Sequence, residues 1–176
     1  AAEPDGTNTP VTPSEPASDP FNPNAESGSK AQFDDVTASD WYFEAVRYAV
    51  ENGLMNGTGD GKFSPKANTT RGMIVTMLAR VEGISTSGMP WYGAGQRWAM
   101  EHEISDGTNM PGAITREQLA AILYRYAKLK GYDVSKTAEI SGYADTAQVS
   151  SYAADAMRWA VGSGLLKGSS NRLNPK

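Results

Sequence analysis

Trp41-Tyr42-Phe43-Glu44-Ala45-Val46-Arg47-Tyr48-Ala49 returns fifty residues later as Trp91-Tyr92-Gly93-Ala94-Gly95-Gln96-Arg97-Trp98-Ala99, and its last three positions appear again as Arg158-Trp159-Ala160. Continuing each copy gives Gly53-Leu54-Met55-Asn56-Gly57, Glu103-Ile104-Ser105-Asp106-Gly107 and Gly164-Leu165-Leu166-Lys167-Gly168. A unit copied three times at roughly this spacing is a repeat array, in which each helical unit buries its apolar face against its neighbours. In the first copy Trp41, Ala45, Tyr48, Ala49 and Asn52 mark one helical face, with Asp40 or Ser39 placed to cap it and Gly53 to end it. The following stretch, Asn56 to Pro65, is dense in turn-forming residues and reads as a loop, with Phe63 plugging the core.

A second helix follows in each complete copy. Ile74, Met77, Leu78 and Val81 correspond to Leu119, Ile122, Leu123 and Tyr126, the spacing of a buried helical stripe. Strands have little place in this pattern, so the expected fold is all-α: three helix-loop-helix repeats. In the second copy the loop shrinks to Thr108-Asn109-Met110-Pro111-Gly112, and Gly93 and Gly95 predict the least regular helix of the array. The third copy has a first helix and Leu173-Asn174-Pro175, which matches Phe63-Ser64-Pro65, and reaches Lys176 without a second helix. The expectation is that the native polypeptide continues, or that another chain supplies the absent helix, and that without it the array is only marginally stable. The units are 33–84, 85–134 and 135–176.

Residues 1–32 differ in kind. Six of the ten prolines fall in the first 23 residues, among Ser, Thr, Asn, Asp and Gly, with Val11 and Phe21 the only large apolar side chains. Such a segment cannot offset its ordering entropy by burial, so it reads as a disordered, semi-rigid spacer that implies an upstream domain or cargo. It opens Ala1-Ala2-Glu3 without a basic and apolar leader, and any secretion signal is expected to be already removed or to lie outside this sequence.

Composition narrows the chemistry. Over 176 residues, 39% are hydrophobic and 20% charged, with a net charge of −4. That balance removes the general attraction on which nonspecific binding to nucleic acid or an anionic membrane depends. No cysteine and a single histidine, His102, exclude thiolate metal sites, a cysteine nucleophile and a histidine zinc cluster. No run of about 18 apolar residues would span a bilayer. No cofactor and no metal are expected. The loop beginning Asn56-Gly57-Thr58-Gly59-Asp60-Gly61 resembles the start of a calcium loop but has Ala67 where a bidentate glutamate is required.

Both complete copies start the second helix with Thr-Arg: Thr70-Arg71 and Thr115-Arg116. Threonine there is an N-cap. Gln118 completes a capping box with Thr115, whereas Met73 leaves the first copy without the reciprocal bond. An arginine in the first turn faces the positive end of the helix dipole and loses roughly 0.3–1 kcal/mol. It has two readings. Beside unpaired helix N–H groups its planar fork makes an anion pocket for carboxylate or phosphate; alternatively it packs on an aromatic ring or pairs with a neighbouring acid. Aromatic side chains interleave with these positions. Tyr48, Trp98 and Trp159 share one repeat position and read as core, while Trp41 and Trp91, at helix starts, are better placed to cover a sugar face.

Phe33-Asp34-Asp35-Val36, Trp41, Gly53-Leu54-Met55-Asn56-Gly57, Asp60-Gly61-Lys62-Phe63-Ser64-Pro65 and Thr70-Arg71, in that order, resemble the surface-layer homology (SLH) repeat of bacterial envelope proteins. Ile114-Thr115-Arg116-Glu117 is similar to that family's isoleucine, threonine, arginine, alanine, glutamate signature with the alanine absent, and Tyr143-Ala144-Asp145 resembles the opening of a third repeat. The resemblance covers 33–176 and implies a pseudo-threefold helical spindle whose inter-repeat grooves bind secondary cell-wall polysaccharide at the bacterial surface. It further implies an anionic, pyruvylated sugar as the recognised group. The residues carried over are Arg71 and Arg116, with Thr70, Thr115, Glu117, Asp40, Trp41, Trp91, Gly57 and Gly107. Arg116 is expected to be the stronger site because Glu117 would orient its guanidinium.

Three functions meet this pattern to different degrees. A noncatalytic anchor explains repeats, spacer and arginines together. A glycan-active enzyme would need a carboxylate pair across a cleft, and neither Glu101 with Glu103 nor Asp34 with Asp35 recurs between copies. The third is a protein-interaction module that assembles a surface lattice through exposed helical faces.

Overall fold

A computed structural model describes residues 33–176; the spacer expected over 1–32 lies outside the described residues. The chain forms α1 (Phe43–Glu51), α2 (Arg71–Val81), α3 (Gly93–Glu101), α4 (Arg116–Leu129) and α5 (Ala154–Gly162), with single 3-10 turns at Thr146–Gln148 and Ser151–Ala153 ahead of α5. Among the described residues there is no strand, only three isolated bridges, so the fold is all-α as expected.

Local sequence sets the two kinds of helix start. Thr70 and Thr115 are extended N-caps whose Oγ1 atoms accept from the N–H of Met73 at 3.2 Å and of Gln118 at 3.3 Å. The reciprocal bond is present in both: Thr115 N–H donates to Gln118 Oε1 at 3.1 Å and Thr70 N–H to Met73 Sδ at 3.4 Å. The expectation that Met73 leaves the box open is therefore corrected; its unbranched thioether reaches back as glutamine does, with a weaker acceptor. The first helices are different. α1, α3 and α5 have no side-chain cap. Asp40, expected to cap α1, instead turns its carboxylate back to Thr37, accepting from its N–H at 2.7 Å and its hydroxyl at 3.0 Å.

Packing runs out of phase with the sequence repeat. α2 packs on α3 and α4 on α5, so each helix pair joins the second half of one repeat to the first half of the next. One core cluster unites Ile74, Val75 and Leu78 of α2 with Trp98 and Ala99 of α3, Ile104 and Met110 beyond it, and Ile122 and Tyr126 of α4. A second unites Ala120 and Ala121 of α4 with Ile140, Met157, Trp159 and Leu173. Phe33, Val36, Phe43 and Val46 form a third, small cluster within repeat 1. Val75, Ile104, Met157 and Leu173 are completely buried, and each such large apolar side chain stabilises the fold by roughly 1.5–3 kcal/mol relative to exposure.

This phase explains two departures from expectation. Tyr48 is 44% exposed, while its equivalents Trp98 and Trp159 are buried, because among the described residues no helix covers α1 as α2 covers α3 and α4 covers α5. α3 is a regular α-helix despite Gly93 and Gly95. A Cβ on Gly95 would sit 2.7 Å from Thr76 Cα and 2.9 Å from Val75 O, so glycine there buys close contact of the α2 and α3 backbones.

Candidate functional site

Each loop of the outer repeats is built around one aspartate. Asp35 accepts from the N–H groups of Phe63 and Ser64, and Asp145 from those of Leu173 and Asn174, all at 2.8 Å. The Phe63 N–H, with that of Ser64, outweighs burial and holds the Asp35 carboxyl below the ordinary carboxylate range. Burial pushes Asp145 the other way, but its two backbone donors prevail and its carboxyl is lowered too. Phe33 lies over Gly57, where a Cβ would meet its ring at 2.5 Å and Lys62 O at 2.6 Å; φ at Gly57 is +77°. Tyr143 occupies the matching place over Gly168. Repeat 2 lacks this clamp. Met110 is its buried plug, Met100 lies over Gly107, and Gln96 Nε2 donates to Gly107 O at 2.7 Å.

The Thr-Arg helix starts dock on the loop of the following repeat. Arg71 N–H donates to Gly112 O at 3.1 Å and Gly72 N–H to Met110 O at 2.8 Å; Glu117 N–H donates to Pro175 O at 3.0 Å. Those N–H groups, offered by the sequence to an anion, are thus engaged by carbonyls of the chain itself. The guanidiniums follow the same direction. Arg71 reaches Asp106 Oδ1 at 2.8 Å, Thr108 Oγ1 at 3.2 Å and Ser105 Oγ at 3.4 Å, and its buried Nε has no partner. Arg116 donates from Nε to Leu173 O and from Nη2 to Lys167 O, both at 2.8 Å. Asp106 is held below its ordinary range chiefly by the Thr108 N–H, with Arg71 adding to it.

Glu117 does not orient Arg116. It is 2% exposed and accepts from Ser150 N–H and Ser150 Oγ, both at 2.9 Å, from Tyr152 OH at 3.2 Å and from Lys176 Nζ. Burial raises its carboxyl, yet Lys176 and Ser150 together lower it below the ordinary value. The helix register also corrects the motif. Thr115 is N-cap and Gln118 the capping-box partner, so Gln118 stands in the signature's glutamate place and Glu117 in its alanine place, opposite Gly72 of repeat 1.

Of the remaining candidates, Gly57 and Trp91 come together. They line a groove of about 440 Å³ between the turn of repeat 1 and the start of α3, floored by Met73, Thr76 and Arg80 of α2. Trp91 is 45% exposed and stands edge-on to Tyr92, at 5.3 Å. Trp41 makes the same pair with Tyr42 at 5.4 Å but is 93% exposed. Asp40 lines a separate groove of about 440 Å³ with Asp34, Asp35, Tyr42 and Lys66. Arg71, Arg116 and Gly107 belong to neither. The sequence reading missed Arg80 and Arg125. Each lies nine residues beyond its Thr-Arg arginine and donates Nη1 to the turn of its own repeat, Arg80 to Leu54 O at 2.9 Å and Arg125 to Ile104 O at 3.3 Å. Their identical offset was a signal available in the sequence. Among the described residues no group of three or more His, Asp or Glu side chains could hold a metal ion.

Fold and seams together define a helical repeat array in which every second-helix start is bolted to the next loop. The S-layer homology domain model matches residues 32–72 and 142–176, which are the two segments that carry the aspartate-clamped loops. Over those two segments the chain matches the S-layer homology domain, a module found at the cell surface and associated with anchoring to the wall. It is also similar to an endoglucanase of Bacillus sp. (strain KSM-635), 27% identical over 163 residues covering 85% of this chain. The chain spans 17% of that enzyme's length. No helix among the described residues is long and apolar enough to cross a membrane.

Proposed function

We propose that this chain is a noncatalytic anchor that holds an exported protein to secondary cell-wall polysaccharide, and that it does so in the inter-repeat grooves through an acidic, pyruvylated sugar. The observation that carries this reading is the groove between Gly57 and Trp91, where an indole edge and a glycine turn from adjoining repeats face a space of sugar size. An indole covers the apolar face of a pyranose, and a glycine lets the ring approach backbone. Outside that groove, at its own seam with repeat 2, Arg71 is better placed than Arg116 to meet a further acidic group of the polymer. Its partner Asp106 is an exposed side chain that a ligand carboxylate can replace, while the partners of Arg116 are fixed carbonyls. Thr70, Thr115, Glu117 and Gly107 act by holding the seams, and Asp40 with Trp41 lines the first repeat. The units are 33–84, 85–134 and 135–176, and residues 1–32 space them from an upstream cargo. Against an enzyme stands Asp35, whose two oxygens are occupied by backbone donors.

The test is calorimetric titration with purified wall polymer. Trp91→Ala should weaken binding about tenfold or more, Arg71→Ala should weaken it further than Arg116→Ala, and helical content should hold. Full binding by Trp91→Ala would remove the groove from the account. One observation favours a second reading, a lattice contact: Trp41 and Met89 are each more than nine-tenths exposed. Self-association abolished by Trp41→Ala would support it.

A further inference from the structure

We infer that Arg80, a residue of α2 outside the Thr-Arg pair, is the cation that receives the acidic substituent of the sugar in the Gly57–Trp91 groove; this rests on the anchor reading above.

Arg80 lines that groove and is half-buried. Two of its donors are fixed by the protein: Nε to Thr86 Oγ1 at 2.8 Å and Nη1 to Leu54 O at 2.9 Å. Among the described residues Nη2 has no acceptor and no carboxylate pairs with the guanidinium. This contrasts with Arg71, which has an aspartate, and Arg116, which has two carbonyls. A half-buried guanidinium held in place without a counter-ion is oriented in advance for an anion, so little ordering remains to be done on binding. Arg80 follows Arg71 by nine residues, two and a half helical turns, which puts the two on opposite sides of α2. The groove and the Arg71 seam are hence separate places.

The wall of the groove agrees with this chemistry. Thr76, 3% exposed, lies on its floor with a hydroxyl that has no partner among the described residues. Trp91 supplies the apolar face, Asn56 and Thr58 supply polar side chains at the rim, and Arg80 is the one charged group in the lining. A neutral sugar would leave that charge uncompensated. An acidic sugar pairs with it while its ring lies against the indole.

The experiment titrates the full chain with wall polymer bearing ketal-linked pyruvate and with the same polymer after mild-acid removal of the ketal. Arg80→Gln should lose about tenfold to a hundredfold in affinity for the intact polymer and nothing for the stripped one. Arg80→Lys should recover part of the loss, because charge persists without the planar fork. Arg47→Gln, which removes the same charge from α1, where Glu44 and Glu51 pair it, should change neither. A spectroscopic reading in the wild type stands beside the variants: the Arg80 Nε–H resonance should shift with intact polymer and stay in place with stripped polymer. Equal loss of both polymers by Arg80→Gln, or an unmoved resonance, would overturn the assignment, since Arg80 would then act only by holding the Leu54 turn. Equal binding of the two polymers by wild type would overturn it while leaving the anchor standing. Binding of neither polymer would bring down the anchor reading itself.

Discussion

The two seams of the array begin with the same Thr-Arg pair and differ at the next residue. In the first, Gly72 leaves room for Trp91 and Tyr92: a Cβ there would lie 3.0 Å from Met110 O, 3.1 Å from Tyr92 Cβ and 3.3 Å from Trp91 Cη2. In the second, Glu117 takes the same place and gathers Ser150, Tyr152 and Lys176 around a buried carboxylate. The equivalent of Trp91 is Tyr152, and its hydroxyl is tied down by that carboxylate. At the position after the arginine, one seam therefore has apolar contact under an exposed indole and the other a polar latch. The lesson is that a shared motif fixes how repeats dock, whereas the residue behind it decides whether the seam offers a ligand surface.

The largest effect should come from cutting the latch. Glu117→Ala should cost about 2–4 kcal/mol in urea unfolding, because several donors lose one buried acceptor. Gly72→Ala, at the same position of the other seam, should cost less. Equal losses would erase the distinction between latch and contact.

Helix approach gives the next test. Gly95→Ala should cost about 1–3 kcal/mol, since its Cβ meets backbone of α2 that has no side chain to move aside. Ala156, the equivalent on α5, is buried and already carries a Cβ against α4. Ala156→Gly should cost only about 0.5–1 kcal/mol through helix propensity, and a larger loss there would mean that the two pairs are packed alike.

Acid should open the latch more than the contact. Glu117 and Asp145 both have folded pKa values below their ordinary ones, so their stabilisation is full above the ordinary carboxylate range and is lost as pH falls through the folded values. Asp106, also lowered, contributes in the same sense to the first seam, but it is exposed and screened. Thermal midpoints measured from pH 6 downward should fall for the wild type and fall less for Glu117→Gln, whose starting midpoint is lower. A parallel decline in the two proteins would exclude Glu117 from the acid response. The smallest effect is expected at Trp41: with 93% of it exposed, Trp41→Ala should move stability by no more than about 0.5 kcal/mol.

Much of the architecture was legible because repeats print themselves twice. The helices, the Thr caps, the Phe63 and Leu173 plugs and the burial of Trp98 and Trp159 all follow from copy-to-copy comparison. What the copies do not contain is which half packs on which, because the same apolar stripe serves an internal or an external partner. Hence Tyr48 reads as core and Gly95 as a helix flaw, whereas the first has no covering helix among the described residues and the second admits one. The site was less legible for a related reason. A guanidinium has five donors, and sequence says nothing of whether carbonyls, an aspartate or a ligand will meet them. Arg80 is easily passed over because it sits in the last turn of α2, where the helix dipole makes a cation ordinary, although its recurrence as Arg125 sets it apart.

The half-repeat offset of the packing has a consequence for how such arrays change in evolution. A recombination breakpoint at 82–90 or 130–140 divides the sequence between units, yet it runs through the linker of a packed helix pair. A duplicated or deleted unit keeps a docking partner, since in both seams the N–H groups of the helix start meet loop carbonyls of the next unit, whether that loop is clamped by an aspartate or plugged by Met110. Copy number is free to drift under this rule, while the residue after the arginine is inherited with its own helix and judged against a new neighbour at every exchange.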